Sequence, residues 1–213
     1  AEYNGDQCYT IVEDRRSRSG SLWYSELVDL TEKFVTSFEM NLGCRDADGA
    51  DGIAFVFQPI STNIGILGGG IGYQGINPSF AVEFDTWQNG NFNDPAFDHI
   101  GIMGNGSVVH PGLKAPVPII ASGGNVEDCN WRNVFISWDP QTQMVEVLVE
   151  CDRRIFYVDD IIQNIFGGNP QVYFGFTAAT GGATNVHQVC VNYVSATDGI
   201  VGDTICKGDA VEI

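Results

Sequence analysis

The chain has 213 residues, with 10 Lys and Arg against 27 Asp and Glu, which gives a formal net charge of −17. Such a charge repels phosphate backbones and anionic membranes, and it argues against nucleic-acid binding and membrane association. Hydrophobic residues make up 44% of the chain and aromatic residues 11%, enough for a packed core and too much for a disordered protein. The low charged fraction of 17% and the 26 glycines favour strands and turns over solvated helices.

The compartment is indicated by the cysteines and by the first residues. No apolar run approaches the roughly 20 residues of a membrane-spanning helix. The opening AEYNGDQ has no basic and apolar signal segment, so we expect a mature or excised fragment. Six cysteines without a C-x-x-C pair argue against a zinc ribbon or a thioredoxin site and favour disulfides, and hence a secreted or cell-surface protein.

One disulfide is predicted from a hairpin. Residues 133–138 and 144–150 have the pattern of two strands around the turn 139–142. Cys129 and Cys151 each lie eleven residues from Pro140, so an antiparallel hairpin would bring them opposite each other. We therefore expect a bond between Cys129 and Cys151, and the pairing of Cys8, Cys44, Cys190 and Cys206 stays open.

The chain has the alternation of strands almost throughout. Residues 34–42 alternate with period two, as expected of a strand with one buried face, and residues 53–57 form a continuous apolar run, typical of a strand covered on both sides. Asn105-Gly106 is a strong hairpin signal, and only residues 159–166 have a helical pattern. Further strands are predicted at 80–86, 99–103, 107–110, 155–158, 172–178 and 186–194. We expect an all-β domain, one large β-sandwich.

A cluster of hard ligands lies at residues 82–102. Because Phe80, Val82 and Phe84 share one strand face, Glu83 and Asp85 lie side by side on the other, where two carboxylates repel each other unless a cation separates them. More ligands follow in the next loop: Asn89, Asn91, Asn93, Asp94, Asp98 and then His99. Oxygen ligands suit Ca²⁺, and an added imidazole suits Mn²⁺ or a similar ion. The alternative, an ordinary Asn/Asp turn after an acidic strand, does not explain the histidine beside the carboxylate pair.

Five segments resemble the L-type (legume-like) lectin family, in family order from about residue 21 to residue 194. They are ADGIAF at 50–55, GGG at 68–70, VEFDTWQN at 82–89, HIGI at 99–102 and GFTAATGGATNVHQV at 175–189. The resemblance implies a concanavalin-like jelly-roll sandwich of two antiparallel sheets over residues 1–197, with a metal-supported sugar site. It implies Ca²⁺ held by Asp85, the carbonyl of Trp87, Asn89 and Asp94, and a second ion, Mn²⁺ or Ca²⁺, held by Glu83, Asp85, Asp94 and His99. The stretch from Asp94 to His99 is shorter than in the plant lectins.

The resemblance also implies a sugar site. Asp51 would accept two sugar hydroxyls, after a cis Ala50-Asp51 peptide bond. Gly70, preceded by Gly69, would donate a backbone N–H where the missing Cβ lets a sugar approach. Trp87 would offer an apolar ring, and Asn89 would direct its amide toward the sugar. The loop 180–184, with Gly181 and Gly182, would close the pocket. Singly, these residues also fit a turn, a tight loop or a core aromatic.

Two rival functions are weaker. The same sandwich fold hosts glycoside hydrolases and polysaccharide lyases, in which a hydrolase strand carries a second catalytic carboxylate. Here Glu83 and Asp85 are followed by Trp87 and Gln88 where that acid should be, so no catalytic residue is predicted. His110 and His187 have no nucleophile motif nearby and are assigned structural roles. A purely structural spacer would not need the acidic loop.

The C-terminal segment gives the context. The stretch DTICKGDAV at 203–211 resembles the opening strand of the immunoglobulin-like repeats of bacterial surface proteins, which makes residues 198–213 a linker and the start of a following module. We therefore expect a calcium-dependent glycan- or polysaccharide-binding domain, without catalysis, of an exported bacterial multidomain adhesin.

Overall fold

The computed structural model describes residues 1–64 and 68–195. In this part the chain forms fourteen strands, one helix, α1 (Ile161–Asn164), and two single 3₁₀ turns, Gly68–Gly70 and Gly90–Phe92. The strands are β1 (Glu2–Gly5), β2 (Cys8–Val12), β3 (Ser19–Trp23), β4 (Val28–Asp29), β5 (Phe34–Asn41), β6 (Gly52–Gln58), β7 (Phe80–Asp85), β8 (His99–Gly104), β9 (Lys114–Pro118), β10 (Arg132–Asp139), β11 (Met144–Val149), β12 (Asp152–Val158), β13 (Gln171–Ala179) and β14 (His187–Val194).

The strands form two antiparallel sheets, so the predicted β-sandwich is confirmed. The back sheet has the order β1-β2-β14-β5-β10-β11-β12, and the front sheet has the order β3-β13-β6-β7-β8-β9, with β4 also paired to β13. Strands that are neighbours in space are often distant in the sequence, as for β14 between β2 and β5. The predicted helix at 159–166 is reduced to α1, whose first turn is capped by the Asp160 side chain accepting from the N–H of Gln163.

The core lies between the sheets and is rich in aromatic rings. The inward residues of β5, among them Phe34 and Phe38, are buried, as their alternation predicts. The Phe38 ring makes edge-on contacts with Phe176 and Phe84 of the front sheet, with centroids 4.8 and 6.4 Å apart. This geometry is favourable for aromatic pairs and fixes the spacing of the two sheets.

The front sheet is also covered on its outer face. Every residue of β6 and of β7 is buried, which confirms the expectation from the apolar run at 53–57. The outward side chains of these strands pack in a second cluster with Ile71, Tyr73 and Met103. Polar groups that β7 points to this face are therefore buried between the sheet and its covering loops.

The predicted strand at 107–110 is wrong. Asn105 and Gly106 do turn the chain, but β8 pairs instead with β9, further along the sequence. The segment after the turn is held by contacts outside the sheet: Ser79 accepts the N–H groups of Asn105 and Gly106, through its carbonyl and its hydroxyl respectively, and the Tyr73 hydroxyl donates to the carbonyl of Ser107. These bonds lift residues 107–110 over the outer face of the front sheet.

The predicted Cys129–Cys151 disulfide is wrong as well, since Cys129 is bonded to Cys44 and Cys8 to Cys190. The hairpin prediction failed because β10 and β11 pair Asp139 with Met144, which moves the centre of the turn past Pro140. In addition, β11 ends at Val149, so Cys151 lies in the turn to β12 and not on the strand opposite Cys129.

The expected linker and following module at 198–213, and the expectation for Cys206, lie outside the described residues. Among the residues that are described, no helix has the length and apolar character that crossing a membrane requires.

Replacing Phe38 by Ala tests the packing between the sheets. We expect F38A to lower the free energy of unfolding by about 3–5 kcal/mol, since it removes a ring that is 1% exposed. The matched control is F156A, in the same sheet, where the ring is 44% exposed and the cost should stay below about 1 kcal/mol. Urea denaturation of both variants measures the difference. Equal losses would contradict the described packing.

Candidate functional site

Strand β7 presents Glu83 and Asp85 to the outer face of the front sheet. Asp85 pairs with Gly52 of β6 on one side and with His99 of β8 on the other, and Glu83 faces Gly101 of β8. A Cβ at Gly101 would lie 2.5 Å from Oε1 of Glu83, so the glycine makes room for the carboxylate. Pairing across the sheet thus brings the two predicted acidic ligands beside the predicted histidine.

Burial makes this cluster electrostatically unfavourable without a cation. Glu83, Asp85 and Asp94 are buried, and burial raises the pKa of all three carboxyls, that of Asp85 well above its usual value. Burial lowers the pKa of His99 to about 4, so its imidazole is neutral at pH 7. A neutral imidazole among buried carboxylates is the form in which these side chains bind a metal ion.

One half of the cluster fits calcium. Asp85 Oδ1 accepts the N–H of Trp87 at 2.7 Å, and Asp94 Oδ2 accepts the N–H of Asn89 at 2.6 Å, so both carboxylates are oriented by their own loop. The side-chain oxygen of Asn89 is buried and has no hydrogen-bond partner among the described residues. Ligand atoms of Asp85, Asp94 and His99 lie within 4.8 Å of one another. The carboxylate oxygens of Asp85 and Asp94 and the amide oxygen of Asn89 are of the kind that Ca²⁺ prefers, whereas His99 adds a nitrogen to the cluster.

The other half holds a histidine that the sequence analysis assigned to structure. Ligand atoms of Glu83, His99 and His110 lie within 4.8 Å of one another, and all three side chains are buried. A regular hairpin about Asn105-Gly106 would have placed His110 opposite Gly101, the neighbour of Glu83. This hairpin register was the one sequence signal that could have placed His110 near Glu83, although residues 107–110 do not form a strand.

Asp51 directly precedes β6 of the same sheet and is buried. The Ala50-Asp51 peptide bond is cis, as expected; the Asp51 N–H donates to the carbonyl of Ala179, and its carbonyl accepts the N–H of Thr86. Burial raises the pKa of Asp51 to about 6, and its Oδ2 has no hydrogen-bond partner in residues 1–64 and 68–195. A carboxylate oxygen in this state is suited to accept hydroxyl groups from a ligand.

The other expected sugar-binding residues lie in part beside Asp51 and in part beside Asn89. A Cβ at Gly181 would be 3.5 Å from Oδ2 of Asp51, and a Cβ at Gly69 would be 2.7 Å from Oδ1 of Asn89. Gly70 is buried, whereas Trp87 is half-buried and Gly182 exposed. The loop 180–184 is anchored by Thr184, whose hydroxyl donates to Asp14, and by Thr180, whose hydroxyl donates to the carbonyl of Arg15.

The segment leading to Asp51 is anchored by Asn185 and Glu127, which the sequence analysis missed, and by His187, to which it assigned a structural role. Asn185 Nδ2 donates to the carbonyl of Arg45 and to Oε1 of Glu127, at 3.0 and 2.8 Å, and Asn185 Oδ1 accepts the N–H of Cys44. The Cys44–Cys129 disulfide joins the same loop to the residues before β10. His187 Nε2 lies 3.0 Å from the carbonyl of Ala50. No local pattern indicates these partners, because they are far apart in the sequence.

Comparison with known proteins identifies the family. The model of the L-type lectin domain, described as the legume lectin beta-barrel domain, matches residues 1–193. Lectin-4 of Griffonia simplicifolia is 31% identical over 199 residues, which cover 86% of this chain and 79% of that protein. The chain belongs to the L-type lectin family. As a lectin domain it binds carbohydrate without catalysis, and the hydrolase alternative has no support in these relatives.

A structural match and a bacterial relative complete the comparison. A structure of peanut lectin with a nine-residue peptide superposes with a TM-score of 0.71 at 24% identity, covering 90% of this chain and 91% of that chain. The jelly-roll fold is thereby confirmed. The serine-rich adhesin for platelets of Staphylococcus aureus is 25% identical over 201 residues, which are 84% of this chain but 9% of the adhesin. The matching part is therefore a small segment of a much longer protein.

The lectin domain should lose stability with rising pH through Glu127. Burial raises the pKa of this carboxyl to about 8, above its usual 4.5, so its stabilising contribution is complete below about pH 4.5 and is lost as pH rises through about 8. We expect E127Q, which stays neutral, to be more stable than wild type by about 1–3 kcal/mol at pH 8 and similar at pH 4.5. Urea denaturation at both pH values measures this. E32Q, at an exposed position, serves as the control, and a pH-independent difference for E127Q would contradict the assignment.

Proposed function

We propose that this lectin domain binds glycans in a calcium-dependent manner and acts as a module of a secreted or cell-surface adhesin. The observation that carries the proposal is the pair of buried, unpartnered oxygens, Oδ2 of Asp51 and Oδ1 of Asn89. A buried polar atom without a partner costs about 1–3 kcal/mol, and a ligand or ion that supplies the partner recovers that cost.

Calcium would support the sugar site by holding the loop that forms one wall of it. In this proposal Asp85, the carbonyl of Trp87, Asn89 and Asp94 hold Ca²⁺, and a second ion, Mn²⁺ or Ca²⁺, lies with Glu83, Asp85, Asp94 and His99. The bound ions supply positive charge that offsets the repulsion among the buried carboxylates. The loop is then ordered before a sugar arrives, which lowers the entropic cost of binding.

The sugar itself would contact residues from four loops. Asp51 accepts two hydroxyls, the backbone of Gly69 and Gly70 allows close approach, and the Asn89 amide donates a further hydrogen bond. The half-buried ring of Trp87 offers an apolar surface for the sugar's C–H groups. Loop residues Gly181 and Gly182 border the site beside Asp51, where their small size leaves room for the ligand.

The adhesin context rests on the bacterial relative and on the disulfides. The match to 9% of a staphylococcal adhesin supports a role as one module among several, and the disulfides Cys8–Cys190 and Cys44–Cys129 favour an oxidising, extracellular environment. A shallow sugar site of micromolar to millimolar affinity gains strength through multivalency. Several copies of the domain tethered to one cell surface would supply that multivalency.

Calcium should stabilise the domain through the acidic cluster. Because the ligands converge only in the folded state, we expect excess Ca²⁺ to raise the melting temperature and EDTA to lower it. D85A should abolish this difference. D98A should retain it, since the Asp98 carboxylate instead accepts the N–H of Val126. Differential scanning calorimetry of the three proteins tests the proposal, and equal melting temperatures of wild type in both conditions would refute the calcium site.

A substitution in the sugar site should weaken glycan binding without removing calcium binding. We expect D51A to lose about 2–4 kcal/mol of glycan-binding free energy, because two charge-assisted hydrogen bonds disappear, while the calcium-dependent melting shift remains. D152A, an exposed acid on the back sheet, is the control. A glycan array with and without chelator identifies the ligand, and titration calorimetry then compares the variants. Undiminished binding by D51A would place the sugar elsewhere.

A further inference from the structure

We propose that His110 is a ligand of the second metal site and that, with Glu83 and His99, it makes this site select Zn²⁺ over Mn²⁺ and Ca²⁺. The inference deepens the proposed function, because it rests on the same acidic cluster. It departs from the ligand set that the family resemblance implies, in which His99 is the single imidazole.

The distances among the three side chains fit a metal ion. Nε2 of His110 lies 2.8 Å from Nε2 of His99 and 2.8 Å from Oε1 of Glu83, and these last two atoms are 3.8 Å apart. Three atoms with these separations lie on a circle of radius about 1.9 Å, so one point lies about 2.0–2.2 Å from all three, the length of Zn–N and Zn–O bonds.

The lone pairs are available to an ion at that point. Nδ1 of His99 lies 3.3 Å from the carbonyl of Phe97, which can only accept, so the proton belongs on Nδ1 and the lone pair of Nε2 points toward Nε2 of His110, 2.8 Å away. Two imidazole nitrogens this close need a proton or a cation between them. Oε1 of Glu83, on a side chain 1% exposed, lies 2.8 Å from the same nitrogen of His110, so the Glu83 oxygen and the His99 nitrogen compete for one proton on that nitrogen. A single proton on Nε2 of His110 serves only one of these two acceptors well, whereas a metal ion binds all three atoms, and the geometry therefore favours a metal ion.

The position of His110 is set by the metal loop itself. Its N–H donates to the carbonyl of Phe92 at 2.8 Å, and Phe92 lies between Asn89 and Asp94. Oδ1 of Asp94 is 3.7 Å from Nε2 of His110, close enough to supply a further oxygen to the same ion. The segment after the Asn105-Gly106 turn is therefore held over the site at both ends, and the imidazole of His110 has a fixed position there.

Two imidazoles change which ion this site prefers. Carboxylate oxygens alone suit Ca²⁺ and Mn²⁺, whereas imidazole nitrogens suit Zn²⁺, which also ranks far above Mn²⁺ in the general affinity order of divalent ions. The neighbouring oxygen set of Asp85, Asn89 and Asp94 keeps its preference for Ca²⁺. We therefore expect a mixed occupancy, with one Ca²⁺ and one Zn²⁺ for each chain.

Competitive metal loading tests the inference. The stripped domain is equilibrated with equal concentrations of Ca²⁺, Mn²⁺ and Zn²⁺, dialysed, and analysed by inductively coupled plasma mass spectrometry. Wild type should hold one Zn²⁺ and one Ca²⁺. H110Q should bind Zn²⁺ at least about 10- to 100-fold more weakly, the range seen even for outer partners of metal ligands, and should keep Ca²⁺. D98N, whose carboxylate faces Val126, should match wild type.

A second measurement reports the nitrogen ligands directly. Loaded with Cu²⁺ in place of Zn²⁺, wild type should show electron paramagnetic resonance couplings from two imidazole nitrogens and H110Q from one. The calcium-dependent melting shift of H110Q reports that the variant is folded.

Three results would overturn the inference: preferential uptake of Mn²⁺ by wild type, Zn²⁺ binding by H110Q equal to wild type, or identical nitrogen couplings in the two proteins. In each case an intact calcium shift leaves the proposed function standing. Loss of the calcium shift in wild type would instead refute the proposed function.

Discussion

Two carboxylates on the central part of the front sheet impose the constraint on which the rest of the site depends. Glu83 and Asp85 project from β7 to a face that the covering loops seal from water, and burial raises the pKa of both. A protein cannot keep two such groups charged and close together without compensation. Histidines, a third carboxylate and the unpartnered amide oxygen of Asn89 lie around them, and a divalent cation is the simplest species that satisfies all of these groups together.

The sheet supplies rigidity and the loops supply chemistry. Interlocking aromatic rings between the sheets hold β6, β7 and β8 in register, so Glu83, Asp85 and His99 have fixed positions. The loop side chains are pinned to this frame from outside. The segment before Asp51 is tied by a disulfide and by Asn185, and the loop of Asn89 and Asp94 is tied by its own hydrogen bonds. Binding groups on loops positioned by a rigid scaffold are a common arrangement.

The electrostatics of the whole chain agree with this site. A net charge of −17 concentrates cations near the surface and disfavours anionic polymers. Much of the local negative charge lies in the cluster around Asp85, and the charge of Asp51 also raises the pKa of Asp85. Bound cations would therefore couple the metal site to the sugar site, because the electric field that holds a metal ion beneath the loop also acts on the Asp51 carboxylate, which faces the ligand.

The local sequence pattern predicted most strands of the sandwich and the pairing of Glu83 with Asp85 on one strand face. Alternation of period two indicates a strand from a few neighbouring residues, which is why residues 34–42 were assigned correctly and why Glu83 and Asp85 could be placed on one face. The continuous apolar run at 53–57 likewise indicated a strand that is covered on both sides. The spacing from Asp85 to His99 also predicted a candidate metal loop, because side chains that follow one strand and precede the next return to the same edge of the sheet.

Tertiary structure alone decided the features that depend on register and on the path of loops. Cys129 pairs with Cys44 because β10 lies beside β5, and no count of residues about Pro140 could show this. His110 reaches Glu83 because its segment leaves the sheet and binds Phe92, and Asn185 finds Glu127 across 58 residues. The sequence determines which side of a strand each residue occupies, since the pleat is local, whereas long-range contacts are chosen by the packing of the whole chain.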